Sequence, residues 1–173
     1  MYKMIKNRSK KIELSLKTDT LLYDIKNYAF IEGDVFSADD EHLRHQIMDI
    51  CEDGNIDRVK RVLDIAHANC VEAMYPYSKV ENEDIEIRDN SIVDNDSYSI
   101  KLIVPDDFSK TTTDLIVKLI HEYMIGCVLS DWFSITKRES AENWREKANH
   151  ALKELRRVLN DRIKRVRRTI SPF

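Results

Sequence analysis

A mainly α fold is what this sequence predicts: a helical bundle of about four to five helices with an inserted β-hairpin and extended basic termini. Three observations carry it. Three glycines (Gly33, Gly54, Gly126) and three prolines (Pro76, Pro105, Pro172) punctuate 173 residues. That scarcity favours helices and excludes glycine-rich phosphate loops, collagen-like repeats and turn-dense β-sandwiches. Apolar residues recur at three- and four-residue spacing along most of the chain, and between Glu81 and Val104 the period changes to two. The length suits one domain of ordinary size. Hydrophobic residues at 42% are too many for a disordered chain, and charged residues at 34% imply long solvated faces.

In residues 1–17, Ile12, Leu14 and Leu16 alternate weakly with polar residues. This fits a short strand or an extended arm, and we read an arm. Thr18-Asp19-Thr20 offers an N-cap to a short first helix bearing Leu21, Leu22, Ile25, Tyr28 and Ala29 on one face, which Gly33 closes. Asp39-Asp40-Glu41 places negative charge at the start of a second helix, whose stripe of Leu43, Ile47, Met48, Ile50 and Cys51 stops at Asp53-Gly54. Asn55 caps a third, through Val59, Leu63, Ala66, Cys70 and Met74 to Tyr77, with Pro76 ending it.

Ile85-Glu86-Ile87-Arg88 alternates, Asp94-Asn95-Asp96 is a turn cluster, and Tyr98 to Val104 is β-branched and apolar. Together they predict a two-stranded antiparallel hairpin at about 84–104, which must pack on helices or on another subunit to persist in water. After Pro105, the run Thr111-Thr112-Thr113 caps a fourth helix apolar enough to be the central one, from Leu115 through Val128 to Trp132. Ser140 caps a long amphipathic fifth, with Ala141, Trp144, Ala148, Ala151, Leu155 and Val158 on its apolar stripe. At about 1.5 Å per residue this helix outreaches a small domain, so its basic end projects. The organisation is therefore an N-terminal arm and short helix (1–38), a helical domain (39–160) and a basic C-terminal tail (161–173).

The net charge of −3 conceals polarity. Residues 1–17 carry six Lys/Arg against one Glu (+5), residues 153–173 carry eight against Glu154 and Asp161 (+6), and the body between them stands at −14. Opposite charge on one chain steers copies or partners into register more than it adds raw affinity. The C-terminal run containing Arg165, Arg167 and Arg168 admits three readings: a solvated helix end suited to the negative helix terminus, a docking element for a protein partner, or a tracker of nucleic-acid phosphates. It holds no aromatic residue before Phe173, which argues against a stacking platform for single strands. Ser171-Pro172-Phe173 has the composition of an anchor peptide that fills a partner's pocket.

Cys51, Cys70 and Cys127 are odd in number, far apart and set among apolar residues, as buried free thiols of a reducing compartment are. The basic N-terminus is followed by no apolar stretch of signal-peptide length, and no run approaches the roughly 20 residues that cross a bilayer. These features predict no membrane partner, and a cytoplasmic chain or one that reaches its destination by assembly.

Catalytic and metal chemistry finds little purchase. His42, His45 and Asp49 share a helical face a metal can use, but charge-rich amphipathic helices produce such groupings readily, and a plain solvated pair is the better reading. His121-Glu122-Tyr123-Met124-Ile125 starts like a zincin helix and fails at Ile125. Asp49 to Lys60 fails as an EF-hand because Cys51 stands at an oxygen-ligand position and Lys60 at that of the bidentate Glu. We therefore expect no enzyme, no cofactor and no metal. Trp132, Phe133 and Trp144 read as core or hairpin-closing residues.

Three stretches carry a family resemblance: Gly54-Asn55-Ile56-Asp57 leading into Val59 to Tyr77; Val104-Pro105-Asp106-Asp107-Phe108 leading into the apolar helix through Leu129; and Ser140 to Leu159. Over roughly residues 40 to 160 their order resembles that of the head-to-tail connector (adaptor, or neck) proteins of tailed bacteriophages and prophages. The resemblance implies a structural virion protein of the neck, assembled in the host cytoplasm. It would form a homo-oligomeric ring, twelve-fold in that family, that joins the portal protein to the tail or next neck protein and extends the channel through which DNA passes. It also implies portal docking by Arg165, Arg167, Arg168, Pro172 and Phe173, and subunit contacts through the hairpin at Ile85, Ile87, Tyr98 and Ile100. The chain departs from smaller members in its N-terminal extension, where a clasp on an adjacent subunit is the natural role. The alternative, from a different class, is a nucleic-acid-associated regulator or packaging accessory binding through the basic C-terminal helix.

Overall fold

The computed structural model describes residues 9–36, 41–75, 77–78, 95–106 and 108–160. In chain order they form β1 (Ser9–Lys17), α1 (Thr18–Phe36), α2 (Glu41–Met48) continued by a 3₁₀ turn (Asp49–Cys51), α3 (Ile56–Ala73), β2 (Ser97–Pro105), α4 (Lys110–Thr136) and α5 (Arg138–Val158). The mainly helical bundle with a two-stranded antiparallel β element is present as the sequence predicts.

The identity of one strand is not. β2 pairs with β1 along its whole length, from Ser9 opposite Pro105 to Lys17 opposite Ser97. The N-terminal segment read as an arm is thus a strand over Ser9–Lys17, and the first half of the expected hairpin, Ile85 to Arg88, lies outside the described residues. The physical reason is face matching. Ile12, Leu14 and Leu16 stand opposite Leu102, Ile100 and Tyr98, so both strands turn one apolar row inward, where cross-strand apolar pairs stabilise a sheet by roughly 0.2–1 kcal/mol each. The strand-to-helix junction is fastened by Thr18, whose N–H donates to Asp96 O at 3.1 Å and whose hydroxyl donates to Asn95 O.

α4 is the axis of the bundle. It buries residues on every side, among them Ile116, Ile120, Met124, Ile125, Val128, Leu129 and Phe133, which is how a helix reads when neighbours surround it. α5 folds back after the single residue Lys137 and lays a seam of small side chains, Ala141, Ala148 and Ala151, along α4. At the tightest point a Cβ on Gly126 would meet Ala148 Cβ at 3.0 Å and Ala148 Cα at 3.3 Å. Any larger residue at 126 would push the Ala148 turn outward by a few tenths of an ångström.

Several helix ends differ from expectation. Gly33 lies inside α1 rather than closing it, and its missing side chain makes room for Met48 Cγ, 3.2 Å from where a Cβ would stand, so that α2 packs closely on α1. Asn55 holds the N-cap position of α3 as expected, but its amide donates to Asp49 O at 2.8 Å and makes no cap bond to the helix, and α3 stops at Ala73, where Met74 N–H returns to Cys70 O. The N-cap of α4 is Ser109, extended at φ −76° and ψ 140°, and the three threonines occupy the first turn. Ser140 is likewise two residues inside α5, with its hydroxyl directed to α1. The projecting basic end expected of α5 falls outside the described residues.

Gly126→Ala tests the seam. Alanine gains about 1 kcal/mol of helix propensity, but overpacking against backbone costs about 1–3 kcal/mol, so urea denaturation should show a net loss of stability. Because the two positions touch, Gly126→Ala combined with Ala148→Gly should lose less than the sum of the two single changes.

Candidate functional site

Two features stand out on the surface and just beneath it, and both belong to α1. The first is a polar node. Glu32, one turn from the end of α1, accepts from Ser140 Oγ at 3.0 Å and from Trp144 Nε1 at 3.3 Å, and Lys137 Nζ lies 3.7 Å away. The Glu32 and Lys137 side chains are only 16% and 17% exposed, so this pair is screened far less than a surface ion pair. Tyr28 meets the Trp144 ring edge-on at 5.1 Å, and Lys147 Nζ sits 3.9 Å above the same ring. One carboxylate thereby ties α1 to the α4–α5 turn.

The second feature is a groove of about 350 Å³ between α1 and the end of α2, lined by Tyr23, Lys26, Asn27, Phe30, Met48 and Glu52. Tyr23 and Phe30 are 70% and 54% exposed although both are large aromatics. They are seven residues apart, two helical turns, on the side of α1 away from buried Leu21, Ile25 and Ala29. Ile31 and Val35 extend the exposed apolar surface of the same helix. α1 is therefore apolar on two faces, one buried and one open.

Other polar groups tie the core together. His121 Nε2 and Asp24 Oδ2 are 2.7 Å apart, joining α4 to α1. Arg58 forms a two-pronged pair with Asp131, at 2.7 and 3.1 Å, joining α3 to α4. Tyr98 donates to Asp64 Oδ1 at 2.9 Å, and Trp132 Nε1 to Ile47 O at 3.1 Å. Trp132, Phe133 and Trp144 are all buried in the core.

The residues expected to bind partners separate sharply. Tyr98 and Ile100 are 4% and 2% exposed and face the chain's own helices, so in the single chain their apolar surface is already covered. Ile85, Ile87, Arg165, Arg167, Arg168, Pro172 and Phe173 lie outside the described residues. His42 Nε2 is 3.1 Å from the amide of Gln46, one turn on. Among the described residues, no three His, Cys, Asp or Glu side chains gather as a metal group, and no helix is long and apolar enough to cross a membrane.

All three cysteines are free, with Cys51 and Cys70 buried and Cys127 partly so. Burial pushes the Cys51 thiol up to about 11 and the Cys70 thiol up to about 12. Burial also raises the Tyr123 phenol to about 12, helped by nearby Cys127. Such thiols are poor nucleophiles at neutral pH, because the thiolate is the reactive form.

Tyr28 packs on the core as its place in the stripe predicts; the open face of α1, with Tyr23 and Phe30, is what the sequence reading does not assign. Their seven-residue spacing was the available signal. No protein-family model, curated protein or solved structure matches this chain.

Two outcomes follow from these groups. Glu32→Ala should cost about 1–3 kcal/mol, since it strips the acceptor from two donors and the counter-charge from Lys137. Glu32→Gln, which keeps an acceptor, should cost less, and Trp144 fluorescence should report both. In alkali the folded chain holds its Cys51, Cys70 and Tyr123 protons longer than the unfolded chain does. Their contribution is complete below the unfolded values and disappears as pH rises through about 11 to 12. The urea midpoint should fall from about pH 9 upward, where unfolded thiols begin to ionise.

Proposed function

We propose that the chain is a structural assembly protein akin to the head-to-tail connectors of tailed phages, a ring subunit that joins portal to tail and extends the DNA channel. The observation that carries this reading is the open aromatic face of α1 on an acidic body whose two ends are basic. Soluble monomers rarely leave large aromatics paired on one exposed face. A head-to-tail ring needs two unlike and complementary surfaces on every subunit. The order of α3, β2, α4 and α5 follows the order of elements on which the resemblance rests. An acidic channel wall would repel DNA and so let it slide. In this reading Arg165, Arg167, Arg168, Pro172 and Phe173 form the docking element for the portal, and no catalytic step is involved.

The test is mass spectrometry of density-gradient particles from the native source. Portal, capsid and tail proteins should share a fraction with this chain at ring stoichiometry. Absence from particles, with DNA retained at low salt and released by reversing the charge of Arg165, Arg167 and Arg168, would replace the connector with the nucleic-acid-associated reading.

A further inference from the structure

A strand has two edges, and β1 occupies one edge of β2. Thr18 N–H donates to Asp96 O, which places the even-numbered residues Tyr98, Ile100 and Leu102 in hydrogen-bonded pairs with β1. The backbone groups of Ser97, Ser99, Lys101 and Ile103 therefore point to the opposite edge. Two contacts agree: Ile103 N–H donates to Tyr77 O at 2.8 Å, and His67 Nε2 donates to Ser99 O at 3.1 Å. Between these ties, among the described residues, no backbone group pairs with the N–H or C=O of Lys101. Beside this stretch of edge lies a groove of about 260 Å³ between β2 and the end of α3, lined by Val71, Ser78, Ser99, Ile100 and Lys101.

The chain on either side of residues 79–94 is fastened at opposite ends of that edge. Tyr77 is held at Ile103, and Asn95 and Asp96 are held at Thr18, just before β2 starts at Ser97. The six residues from Ile103 to Ser97 measure about 20 Å of strand. Sixteen residues reach at most about 58 Å, so the segment can line this edge and still turn. We infer that Ile85-Glu86-Ile87-Arg88 pairs antiparallel with the free edge of β2, which makes β2 the central strand of three. Ile85 and Ile87 alternate with charged residues, so both join the inward row beside Leu102 and Ile100 while Glu86 and Arg88 face water. That placement sets Glu86 opposite Lys101, where it takes up both open backbone groups and forms a favourable cross-strand charge pair. Residues 79–94 carry six carboxylates against Lys79 and Arg88, the complement of an edge whose exposed centre is a lysine. The pairing is short because Tyr77 and His67 already hold the groups at either end. Tethering at both ends gives this segment an effective concentration of about millimolar, an advantage that a second copy or a foreign strand lacks in dilute solution. β1 then holds one edge of β2 and the hairpin expected from the sequence holds the other. Ile85 and Ile87 serve the chain's own sheet, and an edge that would otherwise be a template for strands of other molecules is closed.

The experiment measures amide hydrogen exchange by NMR on the full chain. Lys101 N–H should exchange at least about ten times more slowly in the native chain than in Ile85→Asp combined with Ile87→Asp, whereas Leu102 N–H, which faces β1, should exchange alike in both. A second measurement needs no variant. Carbodiimide, which joins a carboxylate to an amine in contact with it, should link Lys101 both to Glu13, its partner on β1, and to Glu86. In an equal mixture of unlabelled and heavy-nitrogen-labelled chains, the Glu86 link should stay within one chain. Rapid exchange of Lys101 in the native chain, a link to Glu13 without one to Glu86, or a Glu86 link found only between copies would each overturn the assignment. None of these outcomes depends on whether the chain enters particles.

Discussion

The contact between Gly126 on α4 and Ala148 on α5 sets the spacing on which the remaining elements depend. Where two helices meet through a hydrogen atom and a methyl group, their backbones come closer than larger side chains allow, and α4 loses one side to its neighbour along most of its length. An apolar helix so covered still has three sides to shield. α1, α3 and the inner face of the β1–β2 sheet shield them, which is why a chain with so few turns forms one continuous core. Polar ties then fix the angles: Glu32 at the α4–α5 turn, Asp24 with His121 in the middle of α4, and Arg58 with Asp131 further along. Each joins α4 or α5 to a helix far away in sequence.

Much of this was legible in the residues, and the failures share a cause. Helix existence followed from local spacing: the stripes of α2, α3 and α5 and the all-round apolarity of α4 are properties of neighbouring residues. Helix boundaries went wrong where a residue answered to a distant partner. Gly33 reads as a terminator because glycine often ends helices, yet it serves the approach of Met48. Ser140 reads as a cap because serine suits one, yet its hydroxyl reaches Glu32, 108 residues away. Strand pairing failed for the same reason. Period-two alternation admits a strand or an arm at Ile12 to Leu16 and predicts a strand at Tyr98 to Val104, but it carries no information on which strand finds which.

The candidate surface was the least legible part. The spacing of Tyr23 and Phe30 places them opposite the Leu21, Ile25 and Ala29 stripe, but a residue's exposure depends on what the rest of the chain covers, and the spacing alone does not say that nothing covers them. Charge was more informative, because it adds over segments regardless of conformation. The contrast between a basic N-terminal segment and the acidic stretch that follows it is visible in the composition.

The pairing of β1 with β2 has a temporal side. β1 (Ser9–Lys17) leaves the ribosome well before its partner, which follows about 80 residues later, an interval of roughly 4–16 s at common synthesis rates. Through that interval Ile12, Leu14 and Leu16 have no strand opposite them, and the loop to be closed is long, which slows pairing further. When several copies are made on one message, a waiting β1 can meet the β2 of another chain as well as its own. The Thr18 latch onto Asn95 and Asp96 forms equally with either partner, so it is the tether of the intervening chain, which raises the local concentration of its own β2, that favours the correct pairing.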